Sequence, residues 1–343
     1  MQLKRSPKIW KLAKDLRIRR SDDVVQDILL FCQKKIKKFL RDFHDCSNLS
    51  ELLLFVAQKV GTSFEEIHSE DDLERIKSKY LNRGEKIFVR LREELSGEVF
   101  GVTYRLTNRE PWEQEFVSII DCRGQKLPRS YYTKWHEIGH LLILTDQMRL
   151  SFQRTNLHGI ELKDPEEVLV DVIAGTFGFY SPLIQKHARG TISFEEIENL
   201  RELLCPEASK LSSLIGFVKA WPSPCLLVQG MLSFKRKDQA LLLNQPAFDF
   251  YDKPALELRA VHVTINTEAR MIGLNIFENM RIPKKSIIYR AFSEKSDCIE
   301  AHENLSWWET SDGTRLTECS VLVMARCFPD SVYALIIPNL DLV

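Results

Sequence analysis

The sequence predicts an α+β protein of two domains: a mainly helical one with a small sheet over 1–225, and one built on an antiparallel sheet over 226–343. Three observations predict it. Residues 7–95 place apolar side chains at helical spacing. Two short β-prone runs, FGVTYRL and EFVSIID, interrupt the helical texture near residues 100–121. Beyond WPSP at 221–224 the pattern becomes mostly strand-like. A chain of 343 residues is long enough for two separate cores.

Taken in order, DDVVQDILLFCQKKIKKFLRDF puts Val24, Ile28, Leu29, Cys32, Ile36 and Leu40 near one helical face. SNLSELLLFVAQKVG reads as a helix with Ser47 or Ser50 as its cap and Gly61 at its end. FGVTYRL and EFVSIID form a hairpin-like pair across TNREPWEQ. A helix starts near Arg129, and another starts at Asp164-Pro165, where proline suits the first turn. Residues 183–222 are helical again. In the second domain ELRAVHVTIN, SIIYRAF, SVLVMARCF and SVYALIIP read as strands, with turns at Asp312-Gly313 and Pro329-Asp330.

Composition sets limits on function. Hydrophobic residues make up 44% and charged residues 28%, as in ordinary water-exposed globular proteins. No uninterrupted apolar run reaches the roughly 18 residues that span a bilayer, so no membrane partner is expected. The basic N-terminus lacks the apolar core of a secretory signal. Eight scattered cysteines without a CxxC pair read as reduced thiols in a bacterial-type cytoplasm. Net charge is zero, yet residues 1–41 hold 13 Lys or Arg against 4 Asp. Such a stretch is either the solvated face of two amphipathic helices or a surface for nucleic-acid phosphates.

The chemistry is concentrated in WHEIGH, residues 135–140, which spells His-Glu-x-x-His with His136, Glu137 and His140. On a helix, positions i and i+4 share a face, so two imidazoles can reach one ion while the glutamate reaches a water on it. Catalytic zinc takes three protein ligands and keeps one position open. Three residues can supply the third ligand. Asp146 lies six residues past His140, but Ile143 stands where a glycine-permitted turn would be needed and LLILTD continues the helix. His158 lies in a polar loop. Glu167, in DPEEVLVDVIAG, is preferred because Asp171 follows one helical turn later, able to accept the free N–H of a ligand histidine and fix its tautomer. Glu166, its neighbour, faces about 100° away.

These residues resemble the ImmA/IrrE family of zinc metallopeptidases. YYTKWHEIGHLL is similar to the family's Phe-Thr-x-x-His-Glu-x-x-His helix, with Tyr132 and Thr133 in register. EVLVDVIAG is similar to its Glu-x-x-Ala-Asn/Asp-x-Phe-Ala helix, with Glu167, Asp171 and Ala174 in register, and FYSP to its Leu-Leu-Met-Pro end at Pro182. Val170 and Ile173 depart from the pattern at packing positions, and the run to Pro182 is about two residues long. The match covers roughly 100–185. The resemblance implies Zn2+ held by His136, His140 and Glu167, with Glu137 as general base. It implies cleavage of a helix-turn-helix repressor in a DNA-damage, stress or phage-defence response, and a C-terminal GAF-like sensor domain. Single-stranded DNA is the implied signal, met by the basic N-terminus or by Trp307, Trp308 and Phe292, and a homodimer is compatible with it. Tyr132, His158 and Tyr180 are the candidates to steady an oxyanion.

SIIDCRG adds a separate expectation. A strand just before a zinc helix commonly forms the edge that receives substrate. Cys122 at its end would then be placed to occupy zinc's open position as a cysteine switch. The competing reading of the chain is a zinc-containing sensor or DNA-binding regulator without proteolysis, against which the retention of Glu137 argues.

Overall fold

The computed structural model describes residues 3–19, 22–41, 46–95, 97–146, 151–155, 164–239, 255–310 and 313–339. The chain is α+β with two sheets and divides into two compact units. One comprises 1–183 with 200–216, the other 184–199 with 217–343. The second unit therefore takes in a helical segment from well before the expected boundary at 225.

The first unit opens with α1 (Pro7–Asp15) and α2 (Val24–Arg41). The predicted face of α2 is inward: Val24, Ile28, Cys32 and Ile36 are buried, whereas Leu29 and Leu40 sit at its margin. Helix α3 (Leu49–Val60) is capped by Asn48, whose side chain accepts the N–H of Glu51 at 2.8 Å, between the two serines expected. Next comes β1 (Thr62–Ile67), a strand the helical reading of 7–95 missed. It runs parallel to β3, so its partner lies far along the chain and leaves no local hairpin signal. Helices α4 (Glu70–Leu81) and α5 (Leu91–Glu94) precede β2 (Val99–Arg105) and β3 (Phe116–Asp121), which pair antiparallel as predicted. Helix α6 (Ser130–Leu142), β4 (Ser151–Thr155) and α7 (Pro165–Phe177) follow.

The sheet order is β1-β3-β2-β4. The strand before α6 is thus interior, and the edges are β1 and β4, contrary to the expectation that β3 would be an edge. Both faces of β2 and β3 are covered. On one face Val102, Tyr104, Val117 and Ile119 pack with Leu73, Ile76 and Phe88. The other face, which carries Thr62, Phe64, Gly101, Thr103 and Ser118, meets α6.

Helix α6 ends at Leu142 rather than running on through LLILTD, and Asp146 lies exposed beyond it. Helix α7 begins as predicted, with Asp164 capping the N–H of Glu166 at 2.9 Å. The stretch Pro165–His187 is, by length and composition, apolar enough to cross a membrane, unlike the uninterrupted-run reading. It comprises α7 and α8 (Ser181–His187), 56% of its apolar window is buried inside the protein, and α7 packs along α6.

Helices α9 (Phe194–Leu204) and α10 (Lys210–Ala220) complete the helical stretch. The second unit's sheet comprises β5 (Leu226–Ser233), β6 (Glu257–Ile265), β7 (Ile299–Asn304), β8 (Ser320–Phe328) and β9 (Ser331–Pro338), in the antiparallel order β6-β5-β9-β8-β7. Between them lie α11 (Thr267–Met271) and α12 (Ile287–Glu294). The hairpin at Pro329-Asp330 forms as expected. Asp312 of the other turn lies outside the described residues. SIIYRAF is a helix, not a strand. Ser286 caps it by accepting the N–H of Ile288, and Ile287, Ile288 and Ala291 form its buried face. That spacing suits a helix, and β-branched content alone pointed the wrong way.

Candidate metal centre

Helices α6 and α7 cross at close range because Gly139 carries no side chain. A Cβ there would lie 2.9 Å from Val170 Cγ1, so a larger residue would push the helices apart. Tyr132 ties them as well: its hydroxyl donates to the backbone carbonyl of Asp171 at 2.6 Å. This contact makes Tyr132 a staple between the two helices.

The close crossing brings together His136, His140 and Glu167, whose ligand atoms all lie within 4.8 Å of one another. The grouping can hold a metal ion. Both Nε2 atoms converge on Glu167, His136 on Oε2 at 3.1 Å and His140 on Oε1 at 3.3 Å. The outer nitrogens also meet carboxylates. His136 Nδ1 lies 3.1 Å from Asp171 Oδ1, and His140 Nδ1 lies 3.8 Å from Glu166 Oε1. Glu166, weighed from the sequence as an alternative ligand, is thus placed behind His140 as Asp171 is behind His136. Lys8 of the basic N-terminus reaches this corner, pairing with Asp164 at 2.6 Å and Glu166 at 3.2 Å.

The electrostatics follow from this packing. His136, Glu137 and His140 are almost completely buried. Burial works to lower the His140 pKa, but the Glu166 and Glu167 carboxylates outweigh it and raise the value to about 9. Burial works to raise Glu167, yet its hydrogen bonds with the two histidines hold it well below the usual carboxylate range. Such a carboxylate is ionised and ready to meet a cation.

Glu137 faces the sheet. Its Oε2 accepts the Thr103 hydroxyl at 2.7 Å, which leaves a Thr103 lone pair for Ser118 at 2.7 Å. Ser118 in turn contacts the Thr62 hydroxyl at 2.9 Å. This buried row crosses β2, β3 and β1. Room for the Glu137 carboxylate comes from Gly101, where a Cβ would lie 3.1 Å from Oε1 and 2.8 Å from Thr133 Cγ2. Oε1 itself is buried with no hydrogen-bond partner among the described residues. Burial raises the Glu137 pKa, opposed by His140, His136 and the Thr103 hydroxyl.

The other sequence candidates are placed elsewhere. Asp146 is exposed past the end of α6 and outside the trio. Tyr180 is buried after the far end of α7, about 15 Å along the helix axis from the Glu167 turn. His158 lies outside the described residues. Cys122 is buried but gathers with Glu66 and His68, not with His136 and His140. Its neighbours on α6 are Ser130 and Lys134, which project roughly 80–160° around the helix from the two histidines. Burial first, then the Glu66 carboxylate, pushes the Cys122 thiol up to about 12.

Sequence reading missed the Thr62, Ser118, Thr103 row and the place of Glu166. The one local signal was a glycine and a threonine alternating on the inner face of FGVTYRL. Neither a scan of protein-family models nor a search of the curated proteins returns a match to this chain.

Proposed function

We propose that the chain is a zinc-dependent endopeptidase, with its first unit a zincin-like domain of the ImmA/IrrE type and its second a GAF-like sensor. His136, His140 and Glu167 would hold the ion, and Glu137 is the general base. The observation that carries this reading is the Glu137 carboxylate: wholly buried, one oxygen tethered by Thr103, the other without a hydrogen-bond partner among the described residues, beside two imidazoles and the Glu167 carboxylate. A bare buried carboxylate oxygen is costly, and a purely structural metal site has no use for it.

The donor set fits zinc, with two imidazole nitrogens and one carboxylate leaving a fourth tetrahedral position open. When bound, zinc would polarise a peptide carbonyl and acidify a water towards neutrality. The protein's own groups do the rest. Thr103 fixes the rotamer of Glu137 so that Oε1 is the atom that takes a proton. Burial brings the carboxyl towards the range in which it both accepts and returns that proton. Asp171 holds the Nδ1 side of His136 at 3.1 Å and Glu166 faces that of His140 at 3.8 Å, an arrangement that favours both Nε2 atoms pointing inward.

Substrate would add to the sheet at its edge strand β4, which pairs with the Gly101 to Thr103 stretch that touches Glu137. The substrate implied by the resemblance is a helix-turn-helix repressor, and the implied signal is single-stranded DNA. In support of the latter, Lys34, Lys37, Lys38 and Arg41 on α2 form no ion pair among the described residues and line one groove with Phe31. Of the aromatics, Trp308 is buried in the second core, while Trp307 lies under Lys285 at 4.1 Å and Phe292 under Lys295 at 4.6 Å.

The test is cleavage of a helix-turn-helix repressor by the purified chain, with and without single-stranded DNA, beside Glu137→Gln. Cleavage that needs Glu137, metal and DNA supports the whole proposal. Cleavage without DNA keeps the peptidase and removes the sensor. Repressor release that survives Glu137→Gln but not His140→Ala makes the metal structural and the chain a regulator.

A further inference from the structure

The parallel pairing of β1 with β3 ends at Ile67 and Asp121, where the Cys122 N–H donates to the Ile67 carbonyl at 2.9 Å. Side chains alternate along strands, so Glu66, His68 and Cys122 emerge on the same side at this end of the sheet. Their ligand atoms all lie within 4.8 Å of one another. Glu66 Oε2 is 3.0 Å from His68 Nε2 and 3.9 Å from Cys122 Sγ. Metal bonds of about 2.0–2.3 Å at tetrahedral angles place ligand atoms roughly 3.4–3.7 Å apart, so small side-chain adjustments suffice.

We propose that Glu66, His68 and Cys122 form a second metal site, separate from the His136, His140 and Glu167 trio, that takes a thiophilic divalent ion such as Zn2+. The two oxygens of Glu66 are already divided between roles. Oε1 receives the Lys134 ammonium at 2.6 Å, and Oε2 is the oxygen that faces His68 and Cys122. Lys134 thereby orients a monodentate carboxylate without competing for the oxygen that would bind, as outer partners of metal ligands commonly do. Sulfur, imidazole and carboxylate together suit zinc or cobalt better than magnesium or calcium. Cys122 is buried while the His68 side chain is 52% and Glu66 36% exposed, so the group is closed beneath and open above, giving an ion an entry path. Binding would release the thiol proton to solvent, leaving thiolate on the metal.

Cobalt distinguishes the two sites, because only this one supplies a thiolate. The chelator-stripped full chain would be titrated with Co2+, following thiolate-to-cobalt absorption in the near ultraviolet and metal bound after dialysis. The expected result is a charge-transfer band in the wild type that persists in His140→Ala. Cys122→Ser and His68→Ala should each lose the band and about one equivalent of metal relative to wild type. His68 is exposed, so its replacement leaves the fold in place, and circular dichroism checks both variants. A wild-type chain without the band overturns the proposal, as does a band that survives Cys122→Ser or His68→Ala. Failure of the His136, His140 and Glu167 site would leave these readouts unchanged.

Discussion

On the α6 side of the first sheet, Thr62, Ser118, Thr103 and Glu137 form a buried polar row, and Glu137 Oε1 ends it without a partner among the described residues. The covered face of the second sheet carries Leu226, Val228, Ala260, Val323, Ala334 and Ile336, packed under Ile287, Ile288 and Ala291 of α12. The second unit also buries polar side chains, and although Trp221 Nε1 and Arg259 Nε find no hydrogen-bond partner among the described residues, Asn266 and Glu303 close local structure. Asn266 accepts the N–H groups of Cys225 and Ala269 and donates to the carbonyls of Trp221 and Ser223. Glu303 accepts Ser286 Oγ and the Ile287 N–H at the start of α12. A buried polar group whose bonds are satisfied holds a fold together. One left open in a cluster of imidazoles and carboxylates points to chemistry.

The largest expected effect is on that open group. Glu137→Gln should cut repressor cleavage about 10³-fold, equivalent to about 4 kcal/mol in the barrier, with bound metal unchanged by elemental analysis. Activity within a few-fold of wild type would erase the contrast between the two units.

Asn266→Ala should cost about 3 kcal/mol of second-unit stability, since it strips partners from several buried groups at once, while metal content of the first unit stays the same. Denaturant unfolding measures the first quantity and elemental analysis the second. A loss well under 1 kcal/mol would mean that the buried polar groups of the second unit are not its braces.

Asp121 tests whether charge buried in the first unit can also be structural. Burial works to raise its pKa, but Arg123 and Lys126 outweigh it and hold the value below the ordinary one. The folded value lies beneath the unfolded one, so the stabilisation is complete above about pH 4 and is lost as pH falls through the depressed value. Asp121→Asn should cost about 2 kcal/mol at neutral pH and flatten the acid limb of thermal stability. An unaltered acid limb would place that sensitivity elsewhere.

The smallest effect is the most local. Thr103→Val removes the hydroxyl that fixes Glu137 and should lower kcat about tenfold, or about 1.4 kcal/mol, with KM and metal binding little changed. A change in KM alone would show that Thr103 shapes the substrate cleft rather than the base.

The motif reading and the fold reading depend on different ranges of the chain. Asp164 and Pro165 mark the start of α7, and the hairpins β2 to β3 and β8 to β9 follow from local pattern, because capping, turns and alternation act over a few residues. SIIYRAF failed because β-branched residues fit a buried helix face as readily as a strand, and the Ser286 cap with the spacing of Ile287, Ile288 and Ala291 separates the two. The strand β1 was invisible for a related reason: its pairing with β3 is parallel and long-range.

The sequence by itself determined the spacing of His136, Glu137 and His140 on one helix and of Glu167 and Asp171 on another, because helical geometry fixes what lies one turn away. Only the tertiary structure decided that the inner nitrogens share Glu167, that Glu166 backs His140, that Thr103 tethers Glu137, and that Cys122 joins Glu66 and His68. Those contacts join residues up to 56 positions apart. They depend on how closely helices and strands pack, which is set by absent side chains at Gly101 and Gly139 as much as by those present.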